Sequence, residues 1–388
     1  MAYFKLPAGV HDVLPEACYN LDLVKEKLKD KFSQSGFDFI ETAGLEYYDT
    51  YAKIKSPIEQ TRLFKTTDYD GNLIVLRPDM TLACARIAAT KLKAAARLCY
   101  FSRVYDSSAR GNFLREAEQA GVEIFGESGA FADAFCVALA ADCLAATGLK
   151  NFIIDIGHVG FYKGLLEELG LDYEKSEELR AYVNAKDGVN TELFLKENVK
   201  DGRAAEAILA LPSLFGGAEV LEEAKKLTAN AGALSALSHL QKVYGYLKEM
   251  GYENCVSFDL GTVKSLSYYS GMVFTGLAGE VGAPVLSGGR YDKLALEFGK
   301  DLAAVGFAIG LDRLLTALER QGDFKSLPDT EVTVACAKGG EIVGYNAYRK
   351  WLSEGVSCRL LVGETAQEEL SGAKGIKYLA TAEGLKKC

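Results

Sequence analysis

The sequence lacks the cysteine and histidine patterns typical of disulfide-stabilised or metal-binding proteins. Its nine cysteines include no CxxC pair, which disfavours both a disulfide framework and a zinc site. Its three histidines, His11, His158 and His239, lie far apart along the chain. We therefore expect no histidine-rich metal centre. Scattered, reduced thiols in a chain of this length predict a cytoplasmic protein.

Long hydrophobic runs are also missing. The longest, Phe135 to Ala146, is interrupted by Asp142 and is too short to span a bilayer. The N-terminal stretch MAYFKLPAGVHD has no basic segment followed by an apolar one, so we expect neither a signal peptide nor a membrane anchor. A net charge of −9 mildly disfavours a polyanionic partner such as nucleic acid.

The common nucleotide-binding motifs are absent as well. No GxGxxG follows a strand-like segment, and no GxxxxGK[ST] occurs anywhere in the chain. Neither a dinucleotide-dependent dehydrogenase nor a P-loop enzyme is therefore supported.

Strand-like segments recur along the chain in a mixed order, with helices grouped between them. This pattern predicts an α+β fold, with a mixed, mostly antiparallel sheet flanked by helices. We expect a core over residues 1–325, with a helical insertion at about 160–251 where almost every segment has helical periodicity. Beyond a linker near Gln321–Thr330, residues 329–388 predict a small C-terminal α/β domain.

One predicted strand, Ala117 to Phe125, carries a candidate ligand contact. Because side chains alternate along a strand, Gln119 and Glu123 share one face, with Gly121 between them. The apolar residues in between then face the core. An amide and a carboxylate beside a glycine suit a small ligand with N–H donors. A solvated face or a paired structural carboxylate is the alternative.

Two further segments are less specific. Arg313 lies in the first turn of a predicted helix, where a cation opposes the helix dipole. It therefore needs either a nearby carboxylate or a ligand phosphate, and the pattern leaves both open. The stretch SGGRYDKL predicts a glycine turn, then Arg290, then a helix.

Six segments, in order, resemble histidyl-tRNA synthetases, which are class II aminoacyl-tRNA synthetases. LPAGVHDVLPE resembles the opening of these enzymes, and LRPDMT resembles their LRPEGT segment. The stretch Cys99–Gly126 resembles motif 2, and VGFAIGLDRLL resembles motif 3. KSLSYYSGMVF resembles the first histidine signature, RGLDYY, and LSGGRYDKL resembles the second, GGGRYD. The resemblance covers roughly residues 5–320. It implies a class II aminoacyl-tRNA synthetase-like core.

The sequence departs from the synthetases at positions that bind ATP. Where motif 2 has Phe-Arg-x-Glu, this chain has Tyr105–Ser108, so that Asp106 replaces the arginine and Ser108 the glutamate. Lys264 replaces the arginine of the first histidine signature. Adenylation depends on placed cations that stabilise negative charge at phosphorus. The resemblance thus implies a degenerate adenylation site, made of Asp106, Ser108, Lys264 and Arg313.

The amino-acid end of the synthetase site is better preserved. Asp79 stands where the family's glutamate meets the α-ammonium of histidine, and one tyrosine of the pair after Ser267 reaches the imidazole. The resemblance implies a histidine-binding set consisting of Asp79, Thr81, Gln119, Glu123, Lys264, Tyr268 and Tyr269. It implies no catalytic residue, metal or cofactor.

LRPDMT and AEQAGVE resemble more closely the regulatory subunits of ATP phosphoribosyltransferase, which are paralogues of the synthetases. This resemblance implies a chain without aminoacylation activity that acts with a short-form catalytic subunit in histidine biosynthesis. It also implies a class II-type dimer within a hetero-octamer, and L-histidine as effector. The C-terminal segment shows no basic, aromatic-interleaved face for tRNA. An active histidyl-tRNA synthetase and a histidine-sensing module with another partner remain the alternatives.

Overall fold

The computed structural model describes residues 5–53, 60–92, 95–108, 115–199, 202–263, 269–279 and 281–388. The chain divides into two compact units, one up to Phe324 and the other from Lys325 to Cys388.

Two sheets are present in the described part of the first unit. Its strands are β1 Asp38–Phe39, β2 Leu45–Tyr47, β3 Lys65–Thr67, β4 Leu73–Leu76, β5 Ala96–Tyr105, β6 Glu116–Phe125, β7 Phe152–His158, β8 Phe215–Gly216, β9 Val256–Asp259, β10 Met272–Ala278, β11 Leu286–Arg290 and β12 Ala304–Gly310. The main sheet has the order β1-β5-β6-β12-β11-β10-β7-β9-β8, and β2-β4-β3 form a small second sheet. Only the β1–β5 and β7–β9 pairs of the described main sheet are parallel. This sheet is therefore mixed and mostly antiparallel, as predicted.

The helices of the first unit surround this sheet. They are α1 Pro15–Gln34, α2 Tyr48–Lys53, α3 Thr81–Thr90, α4 Gly129–Thr147, α5 Val159–Leu169, α6 Tyr173–Asn184, α7 Gly188–Asn198, α8 Arg203–Ala210, α9 Glu219–Lys226, α10 Ala231–Glu249 and α11 Leu311–Arg320. Among the described residues between β7 and β9, the regular elements are the helices α5 to α10, the strand β8 and two short 3-10 turns. The pattern there predicted almost only helices and gave no signal for β8, because two residues are too few to show a period.

The two faces of the main sheet have different roles. On one face, α1 and α4 pack over the apolar side chains of β6, and α1 contributes a buried stripe at helical spacing from Leu21 to Phe32. On the other face, α3 covers part of the sheet, and a second cluster of buried residues contains Tyr100 and Tyr291. The carboxyl of Glu123 lies on this second face, in contact with both tyrosines.

The helix α4 is long and apolar enough to span a membrane by length and composition alone, and 61% of its apolar window is buried inside the protein. Its acidic residue Asp133 is fully buried and forms an ion pair with Arg290, also buried. These are the features of a core helix.

The stretch predicted as a glycine turn is part of a strand. Gly288 and Gly289 belong to β11, and Arg290 ends it. A side chain at Gly288 would meet the ring of Phe274, and one at Gly289 would come within 2.7 Å of the ring of Tyr269. The glycines leave space for these two rings to pack against the strand, and they do not form a turn.

The second unit is a small α/β domain. Its strands are β13 Val332–Cys336, β14 Cys358–Leu361, β15 Ile376–Thr381 and β16 Gly384–Lys387, in the order β14-β13-β15-β16. Its helices are α12 Glu341–Ser353 and α13 Ala366–Gly372. The predicted β-α-β unit is present, since β13 and β14 are parallel and α12 connects them.

Candidate functional site

The candidate site is centred on Glu123, whose carboxyl is buried on the second face of the main sheet. The Thr81 hydroxyl donates to its Oε1 at 2.8 Å, and the Tyr100 hydroxyl donates to the same oxygen at 3.4 Å. The Tyr291 hydroxyl donates to Oε2. Three neutral hydroxyls from α3, β5 and the loop after β11 therefore hold one carboxyl.

Glycines make room for this cluster. Glu123 pairs with Gly306 across β6 and β12, and a side chain at Gly306 would overlap the Glu123 carboxyl. In the next strand, Gly289 pairs with Gly306, and the ring of Tyr269 occupies the space above Gly289. A larger residue at either glycine would displace the group above it.

Asp79 lies at the start of α3, next to this cluster. Its Oδ1 accepts a hydrogen bond from the Leu82 N–H at 3.0 Å, which satisfies one of the free donors of the first helical turn. Burial raises the pKa of Asp79 to about 6, although the Leu82 N–H and the charge of Arg62 oppose the rise.

Burial also governs the ionisation of Glu123. It raises the pKa of this carboxyl to about 8, against the hydrogen bonds from Tyr291 and Thr81, and the charge of Asp79 adds to the rise. Burial and the two acidic neighbours likewise raise the pKa of Tyr269. Among the described residues, no lysine or arginine forms an ion pair with Glu123 or Asp79. The pair is thus suited to a ligand that brings positive charge or N–H donors.

A buried ion pair joins β11 to α4, on the face of the main sheet that α4 covers. Arg290 Nε donates to Asp133 Oδ1 at 2.8 Å, and His239 Nε2 lies 2.7 Å from Asp133 Oδ2. Arg290 also donates to Asp292 at 2.8 Å. The arginine of the SGGRYDKL stretch therefore binds protein carboxylates and anchors β11 to α4.

Asp106 follows the end of β5 and is not an isolated negative charge. The Arg62 guanidinium donates to its Oδ2 through Nε at 2.9 Å and through Nη2. The Ser108 N–H and hydroxyl both donate to Oδ1 at 2.9 Å. Partial burial acts to raise the pKa of Asp106, but these hydrogen bonds leave it below its usual value. The charge reversal inferred from the sequence is thus accompanied by a guanidinium from another segment.

A cavity of about 520 Å³ lies near the ends of β6 and β12, lined also by α11 and the segment that leads into α1. Its charged and ionisable lining residues are His11, Asp12, Arg103, Glu116, Glu118, Asp312, Arg313 and Glu319. Arg103 donates to Glu116 at 2.8 Å, and Arg313 to the Pro284 carbonyl oxygen at 2.8 Å. Carboxylates outnumber cations here, which opposes the binding of a polyphosphate.

The structure separates the predicted site residues into groups. Asp79, Thr81 and Tyr269 lie around the buried carboxyl of Glu123. Gln119 and Arg313 line the cavity. Asp106 accepts hydrogen bonds from both Ser108 and Arg62. Lys264 and Tyr268 lie outside the described residues.

Three site residues were not predicted from the sequence. Tyr291 stands within the GGRYD stretch, which was noted only for its glycines and arginine. Tyr100 could have been found, because it is directly paired with Gly121 and hence shares the face of Glu123. Arg62 lies in a three-residue 3-10 turn and had no periodic signal.

Comparison with known proteins agrees with this geometry. The family model described as histidyl-tRNA synthetase matches residues 9–314. An ATP phosphoribosyltransferase regulatory subunit of Acetivibrio thermocellus is 37% identical over 99% of this chain and 95% of its own. One of Clostridium kluyveri is 35% identical over 96% of this chain and 98% of its own.

Solved structures give the same result. A Bacillus halodurans protein described as an ATP phosphoribosyltransferase regulatory subunit/histidyl-tRNA synthetase superimposes with a TM-score of 0.88 at 32% identity, over 97% of this chain and 98% of its own. Histidyl-tRNA synthetase from Nostoc shares the fold at a TM-score of 0.77 and 20% identity, over 98% of this chain and 92% of its own. The class II synthetase-like fold predicted from the sequence is confirmed. The chain belongs to the family of ATP phosphoribosyltransferase regulatory subunits, which is built on the histidyl-tRNA synthetase fold.

Proposed function

We propose that this chain activates a short-form ATP phosphoribosyltransferase catalytic subunit and transmits feedback inhibition by L-histidine, in the first step of histidine biosynthesis. The observation that carries the proposal is the match over nearly the whole chain to relatives named as regulatory subunits of that transferase. Coupling between a ligand pocket and a partner surface needs a free energy of about 1–3 kcal/mol.

The histidine site we propose is the cluster around Glu123. Its two acidic groups and its hydroxyls suit the α-ammonium and the imidazole N–H of histidine. We propose Asp79, Thr81, Glu123 and Tyr269 as direct contacts, with Gln119 on the cavity side. Lys264 and Tyr268 belong to the same set by resemblance to the family.

The chain is proposed to lack aminoacylation activity. Asp106 stands where the synthetase pattern has an arginine, and the neighbouring cavity is rich in carboxylates. Because like charges repel, a cavity in which carboxylates outnumber cations disfavours a triphosphate. We also propose that the chain has no tRNA partner and works in the cytoplasm. Its proposed assembly is a class II-type dimer within a hetero-octamer.

The test is the rate of the short-form transferase, measured with and without this chain and then over a histidine titration. We expect activation on adding the chain, and inhibition by histidine only in the complex. An unchanged rate on adding the chain would reject the role.

Two other functions are separated by further assays. An active histidyl-tRNA synthetase is suggested by the double description of the Bacillus halodurans structure. Histidine-dependent ATP–pyrophosphate exchange tests it, and we expect none. A histidine-sensing module with another partner would bind histidine yet leave the transferase unaffected.

A further inference from the structure

Arg62 and Asp106 form an ion pair at the rim of the candidate site. Both Nε and Nη2 of the guanidinium donate to one carboxylate oxygen, Oδ2, while Ser108 holds the other oxygen. The Arg62 side chain is 45% exposed and that of Asp106 23%. The carboxylate is therefore fixed from both sides, and the guanidinium retains access to solvent.

Backbone contacts attach this pair to the end of β5, next to the segment that leads to Asp79. The Ser107 N–H donates to the Arg62 carbonyl oxygen at 2.9 Å, and the Ser107 hydroxyl to that of Thr61 at 3.0 Å. The Tyr105 N–H donates to the Arg77 carbonyl oxygen at 3.1 Å. The turn that carries Arg62 and the turn that leads to Asp79 are thus both attached to the end of β5.

The guanidinium has donors left for a ligand. Nε and Nη2 are used on Asp106, whereas Nη1 has no hydrogen-bond partner within the described part of the chain. An arginine side chain carries five N–H donors in a rigid fork, so one edge can hold a protein carboxylate while another meets a second one. The positive charge of Arg62 also acts to lower the pKa of Asp79, which indicates that the guanidinium lies near this carboxyl group.

We propose that Arg62, held in place by Asp106, binds the carboxylate of the amino-acid ligand. This inference rests on the proposed histidine site at Glu123. In this arrangement the acidic groups at Asp79 and Glu123 take the positively charged or N–H end of the ligand, and Arg62 takes its negative end. Asp106 then does not abolish carboxylate binding. It holds in place a guanidinium that the chain supplies from another turn.

The test compares two ligands that differ only in the carboxylate. L-histidine and histamine are titrated calorimetrically into the full-length chain in complex with the catalytic subunit, for wild type and Arg62→Gln. We expect the variant to bind histidine about 10- to 100-fold more weakly, because a charge-assisted hydrogen bond to carboxylate is lost. Histamine affinity should not change.

A matched control is Arg180→Gln. Arg180 also donates through Nε and Nη2 to a single oxygen, Oε2 of Glu177, but within α6. It should leave both affinities unchanged. Asp106→Asn weakens the anchor and should lower histidine affinity without affecting histamine. Histidine affinity that stays at the wild-type value in Asp106→Asn would overturn the anchoring role.

The outcomes separate this inference from the proposed function. If wild type binds histidine and Arg62→Gln binds it equally well, the role of Arg62 is wrong while the proposed function stands. An equal loss of histidine and histamine would mean that Arg62 supports the pocket without binding the carboxylate, which also overturns the inference. If the wild-type complex binds no histidine, both proposals fail.

Discussion

Replacing Glu123 with glutamine should change how the stability of the first unit depends on pH. In the folded chain the pKa of Glu123 is raised to about 8 from an ordinary value of 4.5, mainly by burial. Between these two values the folded state holds a proton that the unfolded state does not. Raising the pH through this window therefore removes stability, and the loss is complete once the pH exceeds the folded pKa.

The size of the effect follows from the two pKa values. One unit of pKa corresponds to about 1.4 kcal/mol. Linkage then predicts that the free energy of unfolding of the wild type falls by about 3–4 kcal/mol between pH 5 and pH 8 because of Glu123. Glu123→Gln is neutral throughout and should not show this loss. The pKa of Asp79 is raised to about 6, so this group also lowers the free energy of unfolding, by about 1 kcal/mol over the same pH range. This smaller loss should remain in Glu123→Gln.

The assay is urea unfolding at pH 5 and pH 8, followed by circular dichroism for the helix-rich first unit. The single tryptophan, Trp351, lies in α12 of the second unit. Its fluorescence therefore reports the unfolding of the second unit. The pH dependence of that unfolding should be the same in the wild type and in Glu123→Gln. Glu116→Gln is a control on the same strand, at an exposed pair with Arg103, and should keep the wild-type difference within about 0.5 kcal/mol. If Glu123→Gln retained the full loss between the two pH values, the buried carboxyl would not be its source.

Further predictions concern the buried ion pair of α4 and the groups that contact the Glu123 carboxyl. Asp133→Ala leaves Arg290 buried without its main counter-ion and should cost about 3–5 kcal/mol in urea unfolding, while an unchanged midpoint would contradict that reasoning. Gly306→Ala places a methyl group against the Glu123 carboxyl; it should cost about 1–3 kcal/mol and abolish histidine binding in calorimetry, and wild-type affinity would show that the glycine is not needed. Thr81→Val removes one hydroxyl donor to Glu123 and should destabilise the chain by about 1–3 kcal/mol, measured by the same unfolding assay.

Sequence alternation located one face of the site but not its extent. Gln119 and Glu123 lie on the same face of β6, as their spacing requires. Four residues of strand cover about 13 Å, however, so Gln119 lines the cavity while Glu123 lies in the buried cluster. Periodicity identifies a face, and the distance along that face decides which side chains share a ligand.

The missed residues depended on tertiary contacts. Arg62 sits in a short turn whose neighbours give no repeating pattern, and its role arises only because Ser107 attaches that turn to the end of β5. The glycines of β11 were misread as a turn because glycine is common in both settings. The rings of Phe274 and Tyr269, which lie outside the SGGRYDKL stretch, occupy the space that side chains at Gly288 and Gly289 would need. This tertiary contact explains why the strand has glycines at these two positions.

The main sheet ends at both sides in strands of two residues, β1 and β8. A long, unpaired border invites another chain to add its own strand and begin aggregation, whereas such short borders expose few free backbone donors and acceptors. A nine-stranded sheet with such borders therefore carries little risk of uncontrolled edge-to-edge growth. At these borders, a neighbouring chain has to be recognised through side chains.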